Sequence, residues 1–272
     1  MSTVVTILNQ KGGVGKSSST HHLSGTLAQM GRRVLLLDAD PQSSLTQGIW
    51  GPVATRQLDP ASTIAAVLRG DRPHPEQVIH PTSLAGVDLV PGSRAATTYN
   101  TPDPHLADSE AQGVLREFLE EAQNGYDVVL ADCPPNLHLC SWAALAASDY
   151  LIVPLQPEDY GSQGIVDVLE SLTRVQAAGY PVRLLGYLLT MVSPRRTLHQ
   201  LYEEQLRDLY GDAVFTARVP EAPEFPEAIS RRQTISQYKP KGAPAKAIRA
   251  LAEELLGRIA AFEALAGTEA AA

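Results

Sequence analysis

Apolar positions along the chain follow two rhythms. Short, nearly continuous apolar runs occur at TVVTIL (3–8), RVLLLDAD (33–40), VDLVPG (87–92), YDVVLADCPP (126–135), YLIVPL (150–155) and RLLGYLLTMV (183–192). Such runs mark strands buried on both faces of a parallel sheet. Between them lie helical patterns: about Lys16 to Met30, stopped by Gly31, then 108–123, the SWAALAA stretch and 164–179. Strands alternating with helices predict one α/β domain over residues 1–265, a mostly parallel twisted sheet with helices on both faces. A last helix is predicted over about Pro244 to Leu265, because Ile248, Leu251, Leu255, Ile259 and Phe262 form one apolar stripe. The stretch from Gly51 to His80, rich in Pro, Gly and Asp, reads as loop with one short helix near TIAAVL, and 266–272 as a frayed tail.

Composition adds limits to this picture. With 44% hydrophobic and 19% charged residues the chain is an ordinary globular one, which excludes a fibrous or largely disordered protein. The longest apolar candidate for a membrane span, WAALAASDYLIVPL, is broken by Asp149, and no secretory leader pattern opens the sequence. A soluble, cytoplasmic protein is expected. Cys133 and Cys140 form neither a disulfide framework nor a CxxC pair, in keeping with a reducing compartment. A net charge of −8 argues against wholesale coating of nucleic acid but leaves room for local basic patches.

The chemistry concentrates in NQKGGVGKSSST, residues 9–20, between the first strand and the first helix. Gly12, Gly13 and Gly15 let backbone N–H groups converge, and the helix N-terminus adds partial positive charge, so the loop suits phosphate. In the GxxxxGK[ST] pattern, Lys16 neutralises phosphate oxygens and the Ser17 hydroxyl ligates Mg²⁺. Val14 and Ser18 complete the loop; Gln10 stands where the pattern has glycine, and Lys11 is an additional lysine. Asp38 and Asp40 end one strand and Asp132 another, and in a parallel sheet these ends share the edge occupied by the loop. Asp132 is the candidate to hold a water of the Mg²⁺ shell, Asp40 to orient an attacking water, and Asp38 to support either.

The segments KGGVGKSS, VLLLDADPQSSLT, DVVLADCPP, LIVPLQPEDYGSQGI and VPEAPEFPEAI together resemble the ParA/Soj family of deviant Walker-type partition ATPases, over about residues 3–260. The resemblance implies a P-loop NTPase fold, ATP and Mg²⁺ as ligands, and a homodimer in which two ATP-bound subunits meet face to face. Lys11 then matches the lysine that reaches the partner's nucleotide, where a cation can neutralise transition-state charge. Met191, Pro220 and Glu221 match positions near the adenine; ordinary packing and turn roles explain them equally well. Ser17, Ser18 and Ser19 replace the usual threonines, and His22 the frequent Asn, for which helix packing or a local hydrogen bond is the expected role.

The loop starts by residue 11, so the resemblance is to the short form without a preceding helix-turn-helix, which binds double-stranded DNA non-specifically. Residues 230–250 contain Arg231, Arg232, Lys239, Lys241, Lys246 and Arg249 and no Asp or Glu, the clustering that phosphate contacts require. Arg195, Arg196 and Arg218 match the family's DNA-binding arginines. A membrane-binding final helix is disfavoured, because AEELLGRIAAFEALAG has glutamates on its polar side. The resemblance further implies hydrolysis stimulated by a ParB-like partner and nucleoid association. A protein cargo, MinD-like positioning, or a regulator that uses ATP only as a ligand are the alternatives; an iron–sulfur role lacks a second cysteine motif.

Overall fold

The computed structural model describes residues 2–122, 124–157 and 161–269. Among these, seven strands form one sheet: β1 (Thr3–Ile7), β2 (Val34–Asp38), β3 (His80–Pro81), β4 (Val87–Val90), β5 (Val128–Asp132), β6 (Tyr150–Leu155) and β7 (Arg183–Leu189). Their spatial order is β3-β4-β2-β5-β1-β6-β7, and all pairings are parallel except β3 with β4. The expected α/β architecture is therefore present.

Because side chains alternate along a strand, successive residues serve two cores. Val4, Leu35, Leu37, Val129, Ala131, Leu151 and Val153 pack with residues of helices Ser109–Ala122, Leu139–Ala146 and Gly161–Ala177. Val5, Ile7, Val34, Leu36, Val128, Leu130 and Ile152 pack on the opposite face, with Leu23 and Leu27 of helix Lys16–Gln29 and with helix Ala243–Glu269. The stripe of that last helix is inside at Ile248, Leu251, Leu255 and Ile259, while Phe262 is half-buried and stacks at 5.6 Å on Tyr150. The helix continues to Glu269, into the segment read as a tail; 270–272 lie outside the described residues.

The region read as loop is more helical than expected. It holds short helices Pro52–Arg56, Ile64–Leu68 and Pro75–Val78 and a 3₁₀ turn at Pro60–Ser62, preceded by helix Ser44–Trp50. The residues that signalled a loop are helix starts: prolines occupy first-turn positions, Asp59 accepts from Ala61 N–H, and Thr63 accepts from Ala65 N–H. Helix Thr197–Tyr210 and the two-residue β3 were not anticipated; in the helix Leu198, Leu201 and Leu209 stay exposed, which blurs its apolar stripe.

Helix Lys16–Gln29 is clasped by residues 233–235. His21 Nε2 meets the Gln233 carbonyl at 3.0 Å, and Ile235 N–H donates to His22 Nδ1 at 3.0 Å. Gly25 has room for no more than hydrogen, since a Cβ there would lie 2.4 Å from the Thr234 methyl. Both histidines are buried, and burial pushes their pKa values down, His22 from 6.5 to about 3. A folded pKa below the unfolded one gives stability that is present above pH 6.5 and lost as the pH falls toward 3. By about pH 5 the His22 contribution to that loss amounts to roughly 2 kcal/mol. Urea unfolding of wild type and His22→Asn across this range should show a shallower acid loss in the variant, with His21 supplying the remainder.

Candidate active site

The loop after β1 is fastened from two neighbouring strands. The buried Asn9 side chain donates through Nδ2 to Pro154 O at 2.7 Å and accepts Lys11 N–H at 2.9 Å, and the Thr190 hydroxyl donates to Val14 O at 2.8 Å. Gly13 and Gly15 have φ of 79° and 80°, the left-handed region that a side chain disfavours. Gly15, as N-cap of helix Lys16–Gln29, brings no capping side chain to the first-turn N–H groups. These donors are thus left for an anion. Lys16 Nζ folds back onto Lys11 O at 3.0 Å. Asn9 and Thr190 thus hold the loop in place, a role the motif reading did not give them although both lie inside segments it quoted.

Register places the carboxylates. Asp132 pairs with Ile7 on one side and with Asp38 on the other, so the ends of β1, β5 and β2 lie abreast. Both oxygens of Asp132 are buried without a hydrogen-bond partner among the described residues; the Ser17 hydroxyl and Lys16 favour its ionised form, while burial and Asp38 push its pKa well up. Burial also pulls the Lys16 ammonium down, against Asp132, Cys133 and Asp40, which hold it up. Asp40 is buried, its pKa raised by burial and held back by Gln42 N–H, at 2.8 Å from Oδ1, and by Lys16. Lys16, Ser17, Asp40 and Asp132 are therefore brought together as expected.

Asp38 departs from its expected place at the metal. Its Oδ2 accepts the Thr46 hydroxyl at 2.6 Å and Thr46 N–H at 2.9 Å, and its Oδ1 accepts Asp40 N–H at 3.3 Å. The Thr46 oxygen in turn accepts Gly92 N–H at 2.8 Å, and a Cβ on Gly92 would meet the Asp38 carboxyl at 2.7 Å. Asp38 is the anchor of a closed network. Among the described residues no group of three or more His, Cys, Asp or Glu is placed to hold a metal by itself.

Met191, Pro220 and Glu221 come together at the end of β7: Val192 bridges Pro220, and Glu221 N–H donates to Val192 O at 3.0 Å. Met191 has φ 53°, and its methyl lies 3.7 Å from where a Cβ on Gly15 would stand. The basic candidates separate into two groups. Arg195 and Arg196 precede helix Thr197–Tyr210; Arg196 pairs with Glu221 at 3.4 Å, and Arg218 pairs with Glu203 of that helix at 3.0 Å. In the second group Arg231 and Lys239 flank the Tyr238 ring, and Lys239 lies 3.5 Å from Glu227 and 3.7 Å from Glu224. Lys241 and Lys246 are exposed. Arg232 is held differently from its neighbour: its Nη1 donates to the carbonyls of Gln47, at 2.9 Å, and Ile229, at 3.3 Å, which commits part of the guanidinium to joining helix ends.

A family model described as an AAA domain matches residues 2–182. The chain is 39% identical over 259 residues to the chromosome-partitioning ATPase Soj of Thermus thermophilus, with 94% of this chain and 96% of that one covered. This chain belongs to the ParA/Soj family of partition ATPases. Chromosome partitioning protein ParA of Caulobacter vibrioides is 33% identical, with 94% of each covered. Among solved structures, cobyrinic acid a,c-diamide synthase of Mycobacterium smegmatis with bound ADP and magnesium has a TM-score of 0.78 at 27% identity, over 94% of both chains. That neighbour is named for a different reaction, and a shared fold does not fix a function, so the family relation and not the fold carries the functional assignment.

The Asp38 network generates a stability test. Thr46→Val removes one donor to a buried carboxylate and orphans Gly92 N–H, and it should cost about 2–4 kcal/mol in urea unfolding. Thr46→Ser should retain most of the stability. A loss in Thr46→Ser with none in Thr46→Val, which keeps the methyl, would show that the methyl and not the hydroxyl supports the site.

Proposed function

We propose that the chain is a DNA partition ATPase that binds ATP and Mg²⁺ at this sheet edge, pairs with a second nucleotide-bound copy, and binds DNA non-specifically until a ParB-like partner stimulates hydrolysis. The observation that carries this reading is the convergence of Lys16, Asp40 and Asp132 on one glycine loop in a chain that belongs to the partition ATPases. The residues fit the ligands. The unpartnered oxygens of Asp132 and the nearby Ser17 hydroxyl are hard donors of the type Mg²⁺ takes. When bound, Mg²⁺ offsets the charge of the phosphate oxygens.

The loop N–H groups of residues 12–18 and Lys16 hold the phosphates. Asp132, through a water, and Ser17 hold the cation. Asp40, fixed on one oxygen by Gln42, orients the attacking water and takes up its proton as the bond to the γ-phosphorus forms and the bond from that phosphorus to the departing ADP oxygen breaks. Lys11 has its backbone fixed at both ends, by Asn9 and by Lys16, and delivers its ammonium to the nucleotide of the second copy. Met191, Pro220 and Glu221 border the base.

DNA contact falls to Arg195, Arg231, Lys241 and Lys246 first, with Arg196, Arg218 and Lys239 exchanging their carboxylate partners for phosphates. Dimerisation doubles the patch, so ATP switches binding on, and the protein accumulates on the nucleoid. Among the described residues no helix is long and apolar enough to cross a membrane.

DNA retention with ATP, with ADP and without nucleotide tests the switch. Wild type should bind with ATP alone, with log affinity falling against log salt, and Lys11→Ala should bind under none of these conditions. Lys16→Ala should lower ATP turnover by at least about a hundredfold. ATP-independent DNA binding, or turnover that survives Lys16→Ala, overturns the reading.

A further inference from the structure

The strand that ends at Asp132 is joined to helix Leu139–Ala146 by the segment from Cys133 to His138. This segment passes the glycine loop: Pro135 lies 3.9 Å from where a Cβ on Gly12 would stand, and Asn136 and Gln10 line one cavity. Whatever fixes the start of that helix therefore fixes one border of the site.

Helix Leu139–Ala146 brings no cap of its own. His138, which precedes it, makes no side-chain cap hydrogen bond, yet every residue of the helix is buried, where an unmet N–H is costly. The donors are met from a loop distant in sequence. Leu139 N–H donates to Thr101 O at 3.0 Å, and Cys140 N–H to Asn100 Oδ1 at 3.1 Å. The Asn100 amide also donates: its Nδ2 lies 3.4 Å from Asn136 Oδ1, and that oxygen accepts His138 N–H at 3.1 Å. The Ser141 hydroxyl closes the turn on Asn136 O at 2.6 Å. Asn100 is itself seated, its N–H bonded to Ala96 O at 3.1 Å where the 3₁₀ turn Arg94–Thr98 ends. One side chain thus holds both the helix start and a residue beside the glycine loop.

We propose that Asn100 is a positioning residue for ATP hydrolysis: through Asn136 and the start of helix Leu139–Ala146 it fixes the segment after Asp132 against the glycine loop. It acts through these neighbours and not on substrate. Asparagine suits the task because one planar amide offers an acceptor to Cys140 and a donor to Asn136 at once, whereas an ionised aspartate offers acceptors alone. A segment held in place needs no rearrangement as charge develops at the sheet edge, so its release falls on turnover and not on nucleotide binding by the loop and Lys16. The inference rests on the ATPase reading of the site and adds a residue outside every segment that carries the family resemblance.

Steady-state turnover of the full chain with ATP and Mg²⁺, and NMR amide exchange without nucleotide, test it. Asn100→Ala should lower kcat about tenfold with KM for ATP unchanged, and should speed exchange of the Cys140 N–H about tenfold. Asn100→Asp keeps the acceptor for Cys140 and should keep that exchange slow. It sets an acceptor against Asn136 Oδ1, however, so kcat should fall as in the Ala variant, and it decides the question even where Asn100→Ala does not fold. Asn136→Ala should lower kcat to a similar level, and Asn100→Ala/Asn136→Ala no further, because both changes remove one connection. Wild-type kcat in Asn100→Asp, losses that multiply in the double variant, or a change confined to KM overturns the proposal. A wild type that turns over ATP beside an equally active Asn100→Ala removes the role of Asn100 alone. A wild type without ATP turnover removes the ATPase reading and that role with it.

Discussion

Two buried carboxylates side by side are the constraint on which this site is built. Asp38 and Asp132 end adjacent parallel strands in direct register, both fully buried; burial raises the pKa of each, and Asp38 adds to the cost of ionising Asp132. A parallel sheet makes such an arrangement hard to avoid, since every strand delivers its C-terminus to one edge. The fold meets the cost differently for each. Asp38 receives three protein donors from Thr46 and Asp40, whereas both oxygens of Asp132 lack a hydrogen-bond partner among the described residues and rely on Lys16 and Ser17 nearby. An uncompensated buried carboxylate beside an anion-binding loop is a site prepared for a cation.

The same economy explains the loop. Its conformation does not depend on glycine alone, because glycine permits a shape without enforcing it. Asn9 ties it to the end of β6 and Thr190 to the end of β7, while Pro135 lies 3.9 Å from where a Cβ on Gly12 would stand. Two strands other than the one that leads into the loop, β6 and β7, therefore hold its shape. Preorganised donors of this kind need no rearrangement when charge develops, which is where electrostatic catalysis gains most.

All of the described strands except β3, their mostly parallel arrangement and the loop with its lysine, serine and two of three aspartates at one sheet edge were legible in the sequence, because each rests on local pattern or on the shared edge of a parallel sheet. What was not legible depended on partners distant in sequence. Asp38 reads like Asp40 and Asp132 until Thr46 and Gly92 are seen to enclose it. Arg232 reads like its neighbour Arg231 until its guanidinium is found on the carbonyls of another helix. The absence of Asp and Glu from residues 230–250 suggested uncompensated charge, yet Glu224 and Glu227 lie close to Lys239. Sequence spacing reports the charge of a segment, not of a surface. The short helices of residues 52–78 were hidden for a related reason, since proline and aspartate signal both loops and helix starts.

The basic segment and the nucleotide site share supports, and this limits how either can move. Residues 233–235 are bonded to His21 and His22, one turn beyond the lysine and serine of the loop, and Thr234 fills the space above Gly25. Arg232 is bonded to the end of helix Ser44–Trp50, whose Thr46 holds Asp38. A shift of either helix must therefore carry residues 232–235 with it or break buried hydrogen bonds at about 1–3 kcal/mol each. Arg231 and Lys239 stand directly beside these anchors and around Tyr238. Charges that lie far in sequence from the phosphate loop are thus mechanically close to it, and a nucleotide-dependent change at the sheet edge has a short, packed route to this basic segment.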